Sequence, residues 1–144
     1  MKSLFTTLLL LITFTISSQE IPSKIKVALE NDDVKTLKKA LTKEIINKCY
    51  DAGNESYSFL ISAIKLNSKE CFKKLVSKKA DLNKDCNGQA PIIYAAKHGR
   101  LEMAKKLIAK GASLENKWRG RTALFYAKKH RQKEVSDYLA SLEN

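Results

Sequence analysis

The stretch Gly88-Gln89-Ala90-Pro91-Ile92-Ile93-Tyr94-Ala95-Ala96-Lys97-His98-Gly99-Arg100-Leu101-Glu102-Met103-Ala104-Lys105-Lys106-Leu107-Ile108-Ala109-Lys110-Gly111-Ala112 decides how this chain folds. Moved forward by 32 residues it lands on a second copy of itself: Ala90-Pro91-Ile92-Ile93-Tyr94-Ala95 falls on Thr122-Ala123-Leu124-Phe125-Tyr126-Ala127 (127 − 95 = 32). Moved back by the same step it falls on Ser58-Phe59-Leu60-Ile61-Ser62-Ala63 (95 − 63 = 32). The offset also carries Leu75 onto Leu107 and Leu139, and Cys71 onto Met103 and Val135. An earlier copy shows in Ile25 to Ala28 with Val34, Leu37 and Leu41, displaced by 35 residues (63 − 28 = 35). Small and apolar residues held in one register over three copies are the mark of a repeat protein.

Within each copy the apolar spacing is helical. Leu101, Ala104, Leu107 and Ile108 fall at i, i+3, i+6 and i+7, one stripe facing a core. Gly99 separates that helix from one holding Pro91 to Lys97, and Gly111 closes it. Ser23, Ser58 and Thr122 stand where a side-chain oxygen caps the first helix of a copy. Pro91 sits in a first helical turn, where its missing N–H costs nothing. Each copy thus reads as short helix, tight turn, longer helix and turn-rich connector. Such a unit cannot bury its apolar side alone, so copies must stack into one continuous core.

The stretch 88–112 resembles an ankyrin repeat almost end to end, through Ala90-Pro91-Ile92, Ala95-Ala96, Gly99, Leu107-Ile108 and Gly111-Ala112. Gly120 to Ala127 begins a further copy, Ser58 to Asn83 is a more divergent one, and Lys24 to about Asn47 resembles a degenerate capping repeat. The resemblance implies an all-α solenoid of stacked helix-turn-helix units with short hairpin-like connectors, with repeats at about 24–50, 55–84, 87–116 and 119–144. The family's motif His is replaced by Ile61, Ile93 and Phe125, and Lys79 and Arg131 stand where Gly is usual. The period is one residue short of the usual 33, which trims the connectors.

The resemblance further implies a concave face, made of connectors and first helices, that binds another protein and has no catalytic centre. By position the residues offered to a partner are Tyr57, Lys65, Gln89, Lys97, His98, Trp118, Arg119, Arg121 and Lys129. Glu30, Asn31, Asn54, Glu55, Leu66, Asn87 and His130 surround them. Charge runs from mixed or acidic near Glu30 to basic around Trp118 to Arg121, so a partner with an acidic patch should meet the C-terminal half. Trp118, the only Trp, has two readings: an interface anchor of the kind that carries binding energy, or a cover over the neighbouring repeat. Tyr57 is either a second anchor or a half-buried aromatic at a helix start. Cys49 and Cys86 fall in successive connectors of the repeat array, either bridged by a disulfide or as two free thiols. Cys71, at a core register, reads as a buried free thiol.

At 144 residues, the chain has length for one domain. With 44% hydrophobic and 29% charged residues, 5 Gly and 2 Pro, it is neither collagen-like nor wholly disordered. The net charge of +12 favours acidic partners. Met1-Lys2, the apolar Leu4 to Ile16 and Ser17-Ser18 read as a secretory signal peptide over residues 1–18, cut after Ser18 or Gln19, and leave a soluble domain over 19–144 outside the cytosol, periplasmic or released. A membrane anchor would need a longer apolar run. The repeat-equivalent His98 and His130 lack accompanying ligands, so no metal and no cofactor is expected. No phosphate loop, CxxC, HExxH or GxSxG is present, and neither an enzyme nor a small-molecule substrate is expected. The expectation is therefore a monomeric protein-binding module, with a basic polyanion- or nucleic-acid-binding domain as the alternative.

Overall fold

The computed structural model describes residues 19–143, so the leader expected over 1–18 lies outside the described residues. The chain runs α1 (Ser23–Glu30), α2 (Val34–Ala40), β1 (Tyr50–Ala52), β2 (Glu55–Tyr57), α3 (Phe59–Leu66), α4 (Lys69–Ser77), α5 (Pro91–Lys97), α6 (Leu101–Ala109), α7 (Ala123–Lys129) and α8 (Lys133–Ser141). First helices open at Phe59, Pro91 and Ala123 (91 − 59 = 32, 123 − 91 = 32), and second helices at Lys69, Leu101 and Lys133, the same step apart. These are the stacked helix-turn-helix units that the resemblance implies.

First and second helices bury differently because they lie at different depths. In α3, Phe59 through Ile64 are all buried, and in α5 so are Pro91 through Ala96. A helix packed against its own partner and against both neighbouring repeats has little free face, so it reads apolar all round. Ala63, Ala95 and Ala127 are each 0% exposed, at the register where α3, α5 and α7 pack on one another and only a small side chain lets the backbones approach. The second helices carry one stripe each: Cys71, Phe72, Leu75 and Val76 in α4, Met103, Ala104 and Leu107 in α6, and Val135 and Leu139 in α8. Their Lys and Glu residues face water.

The turn between paired helices needs one residue in the left-handed region. Asp32 (φ 52°), Asn67 (φ 58°), Gly99 (φ 65°) and Arg131 (φ 57°) fill that place in the four copies, so the conformation survives where glycine does not. Lys79 (φ 60°) likewise does the work of Gly111 after the second helix. Caps are less uniform than the sequence suggests. Ser58 Oγ accepts from Ile61 N (3.2 Å), whereas Thr122 holds the cap position of α7 without a side-chain bond. Ser23 is the first residue inside α1, behind Pro22, and caps nothing.

Between copies the next residue along forms a recurrent latch. Ser68 Oγ donates to Leu29 O; Arg100 Nε and Nη2 donate to Ile64 O and Lys65 O (both 3.1 Å); Gln132 Nε2 donates to Lys97 O (3.2 Å). Each adds a donor to carbonyls at the end of the preceding first helix, where the intrahelical ladder runs out. The Asp32 carboxylate accepts from Glu70 N and Cys71 N (3.0 and 2.8 Å), capping the helix of the next copy.

The connectors form fingers on the side of the first helices. β1 and β2 pair antiparallel with Tyr50 opposite Tyr57, and the backbone of Gln19 and Glu20 runs beside Asp51. The next two fingers shrink to single bridges, Cys86 to Gln89 and Trp118 to Arg121, turning through Asn87-Gly88 and Arg119-Gly120 with both central φ angles positive. A disulfide joins Cys49 to Cys86 with Cα atoms 5.9 Å apart. Cys71 is free and buried, and burial, then the Asp32 carboxylate, pushes its thiol up to about 12.

Candidate binding face

The face made by the fingers and first helices carries a lysine in each of the last three copies. Lys65, Lys97 and Lys129 stand 32 residues apart at or next to the ends of α3, α5 and α7. Eight residues earlier in each copy, where the finger returns, stand Tyr57, Gln89 and Arg121. In the first two of these three the pair is a hydrogen bond: Lys65 Nζ donates to Tyr57 Oη, and Lys97 Nζ to Gln89 Oε1 (2.9 Å). In the third the acceptor is replaced by a second cation, Arg121, which lies over the Phe125 ring at 4.9 Å. The row therefore changes character along the stack. At the N-terminal end Glu55 accepts from Tyr57 Oη and lies 3.9 Å from Lys65 Nζ. Among the described residues no carboxylate pairs with Lys97, Arg119, Arg121 or Lys129.

Trp118 organises the basic end. Its ring packs on Tyr126 (centroids 5.1 Å), whose hydroxyl donates to Trp118 O (2.9 Å), and a side chain at Gly88 would meet Trp118 Cδ1 at 3.6 Å. Trp118 is thus half-buried over the preceding finger. It also holds two cations, Lys97 Nζ 4.7 Å and Arg119 Cζ 4.6 Å from the ring centroid, with Lys97 also 5.4 Å from the Tyr94 ring. The ring is both a lid and a platform for charge. Arg119 itself is exposed on a left-handed backbone (φ 49°) at the finger tip.

Burial lowers the proton affinity of Lys97; Glu55 opposes this, while Lys65, Lys129 and Arg119 add to it. Lys65 is lowered by burial, against Glu55. His98, its ring parallel to Tyr94 at 6.4 Å, is held below its ordinary value by burial first and then by Arg100, Lys97, Lys65 and His130. Lys97 and His98 gain from an incoming negative charge, since each already feels several positive ones.

Two expected contact residues require correction. Tyr57 is 7% exposed and set edge-on to Tyr94 at 5.8 Å, and Gln89 is 1% exposed. Neither can present a side chain to a partner; each lies beneath the surface and holds the lysine of its copy. Lys65, Lys97 and His98 are half-exposed, and Arg119, Arg121 and Lys129 are exposed. Sequence reasoning missed the latch at Ser68, Arg100 and Gln132, although their 32-residue spacing was the signal that would have found it. It also missed Ser62, whose Oγ is buried without a hydrogen-bond partner and which lines a depression of about 170 Å³ between α1 and α3. A second depression, about 640 Å³, lies on the side of the second helices, over Phe72, Leu101 and Met103.

Among the described residues no three His, Cys, Asp or Glu side chains gather as a metal site requires, and no helix is long and apolar enough to cross a membrane. A family model described as ankyrin repeats (3 copies) matches residues 25–118 and 60–144. No curated protein matches the chain.

Proposed function

Since the chain belongs to the ankyrin-repeat family, whose repeats are protein–protein interaction modules, we propose that it is a non-catalytic binding protein working outside the cytosol. It docks a protein partner on the face of fingers and first helices, and the partner brings an acidic patch to Lys97, Arg119, Arg121 and Lys129. The carrying observation is the change along the lysine row. The second copy neutralises its cation with Glu55, whereas the last two leave four cations without a carboxylate, two of them held over Trp118. Like charges held together at a half-buried surface steer and orient an acidic surface.

The leader-like residues 1–18 support export. So does the Cys49–Cys86 bridge, because such bonds persist in oxidising compartments. A monomer fits this use, since the face stays open for a different chain.

Immobilised chain should capture one protein saturably at low and moderate salt, and Arg119→Glu should abolish capture without lowering the melting temperature. Arg119 is exposed and, among the described residues, its side chain meets the fold only over the Trp118 ring, at the edge of the surface. That contact is worth about 0.5–1 kcal/mol at most, so the charge reversal acts chiefly on the surface. Binding to unrelated polyanions with a steep salt dependence, and to no protein, would move the assignment to polyanion recognition.

A further inference from the structure

The second helices carry a charged face of their own, apart from the one made by the fingers and first helices. Lys74 on α4 and Lys106 on α6 are repeat-equivalent (106 − 74 = 32), and Lys39 on α2 stands one copy earlier (74 − 39 = 35). At the helix ends Lys78 and Lys110 make a second row, four residues further on (78 − 74 = 4, 110 − 106 = 4). Residues four apart share one side of a helix, so both rows lie on one side of the stack. Among the described residues none of these lysines pairs with a carboxylate. The acids of the same helices are engaged or set back. Glu70 pairs with Lys73, Glu102 with Lys105 and Asp137 with Lys133, while Glu134 stands in the first turn of α8. Lysine near a helix C-terminus complements the helix dipole, and that alone could explain the rows up to α6. It does not explain the last copy, where the same two positions become Tyr138 and Leu142 (138 − 106 = 32, 142 − 110 = 32). Leu142 is 42% exposed, and Tyr138 is half-buried with Lys105 Nζ 5.7 Å from its ring centroid.

The residue types select the partner. A discrete phosphate or carboxylate is gripped best by the planar fork of arginine, which the finger face offers at Arg119 and Arg121. The helices α2, α4, α6 and α8 contain no arginine. Lysine is a point charge on a long apolar stem, suited to a diffuse negative surface along which the stem can lie. Tyrosine and exposed leucine at the end of the same rows add a second signal, and stable attachment to a bilayer surface takes two. A nucleic acid would use the lysines and leave Leu142 with nothing to contact. We infer that the second helices rest on an anionic lipid surface, with Lys39, Lys74, Lys78, Lys106 and Lys110 over the headgroups and Tyr138 and Leu142 at the boundary with the acyl chains. Such attachment needs no membrane-crossing helix. It leaves the finger face free for a protein partner and stands independently of the docking proposed above.

The test is flotation of the full chain with vesicles of equal parts phosphatidylglycerol and phosphatidylcholine, and with vesicles of phosphatidylcholine alone. Residues 1–18 are common to every variant, so differences between variants read the helices. Binding should be tighter on the anionic vesicles, and the gap should close as salt rises. Lys78→Gln, Lys106→Gln and Lys110→Gln together should weaken binding to the anionic vesicles by about fivefold for each lysine removed. Leu142→Gln should weaken it about fourfold, the worth of one methylene at the boundary. All four positions are exposed, so melting temperatures should stay the same. Unchanged binding of the triple variant to anionic vesicles would overturn the proposal. So would a loss on Arg119→Glu as large as that of the triple variant, which would place the lipid on the finger face. Unchanged binding of Leu142→Gln would overturn it as well, and a short DNA duplex held as tightly by the same lysines would then give the face to a nucleic acid.

Discussion

His98 lies half-buried against the Tyr94 ring, and the groups facing it are Arg100, Lys97, Lys65 and His130, all basic. Burial and then these charges hold its proton affinity below the ordinary 6.5, so the unfolded chain takes up that proton before the folded one does. Stability contributed by a neutral His98 is present above pH 6.5 and is lost as pH falls from there through the lower folded value. Melting temperatures measured on either side of this window should show the fall, and His98→Gln should flatten it. Asp32 works in the opposite chemical sense with the same slope. Burial raises its carboxyl, but the Cys71 and Glu70 backbone N–H groups outweigh that and bring it below 3.8, so its inter-repeat cap fails only in stronger acid. Both residues show that single side chains here act across a repeat boundary.

At the scale of the element, the unit is a helix pair whose turn demands a left-handed residue. Lys79 and Arg131 hold φ values of 60° and 57° where the sequence resemblance expects glycine. A side chain in that region costs roughly 1–2 kcal/mol, partly offset by the greater freedom glycine has in the unfolded chain. Lys79→Gly should therefore raise stability by up to about 1 kcal/mol, read as a higher denaturant midpoint with unchanged slope, since Lys79 side-chain atoms cap nothing. Arg131→Gly should behave alike, being exposed at the α7–α8 turn. No gain in either variant would mean that the strain is relieved elsewhere in the pair.

Over the whole molecule, stability is distributed along a row of interfaces rather than held in one centre. The first copy is the exception in its connections: its displacement is 35 rather than 32 residues, its finger is a full hairpin, and it is tied to the second connector by Cys49–Cys86. Closing a loop with a sequence separation of 37 removes unfolded-state entropy worth about 4 kcal/mol on the chain-entropy account. Cys49→Ser with Cys86→Ser should lower the unfolding free energy by an amount of that order while the far-UV spectrum stays helical. A loss below about 1 kcal/mol would show that the stack holds the first copy without the bond.

The helix pairs were legible because repetition is a property of the sequence itself. One offset aligned Ala63, Ala95 and Ala127, and a position that must admit a neighbouring backbone accepts only a small residue in every copy. The basic end of the face was legible for the same reason, since charge at a repeat-equivalent position keeps its side of the stack. What lay beyond reach was the state of each side chain on that face. Tyr57 and Gln89 occupy contact positions by register, yet the packing of one repeat on the next covers them and turns them into supports for Lys65 and Lys97. Ser62 looked like one more helical residue until α1 and β1 enclosed it. Register fixes which way a residue faces, because helical geometry is local; whether anything stands in front of it depends on elements distant in the chain, and only the folded stack decides that.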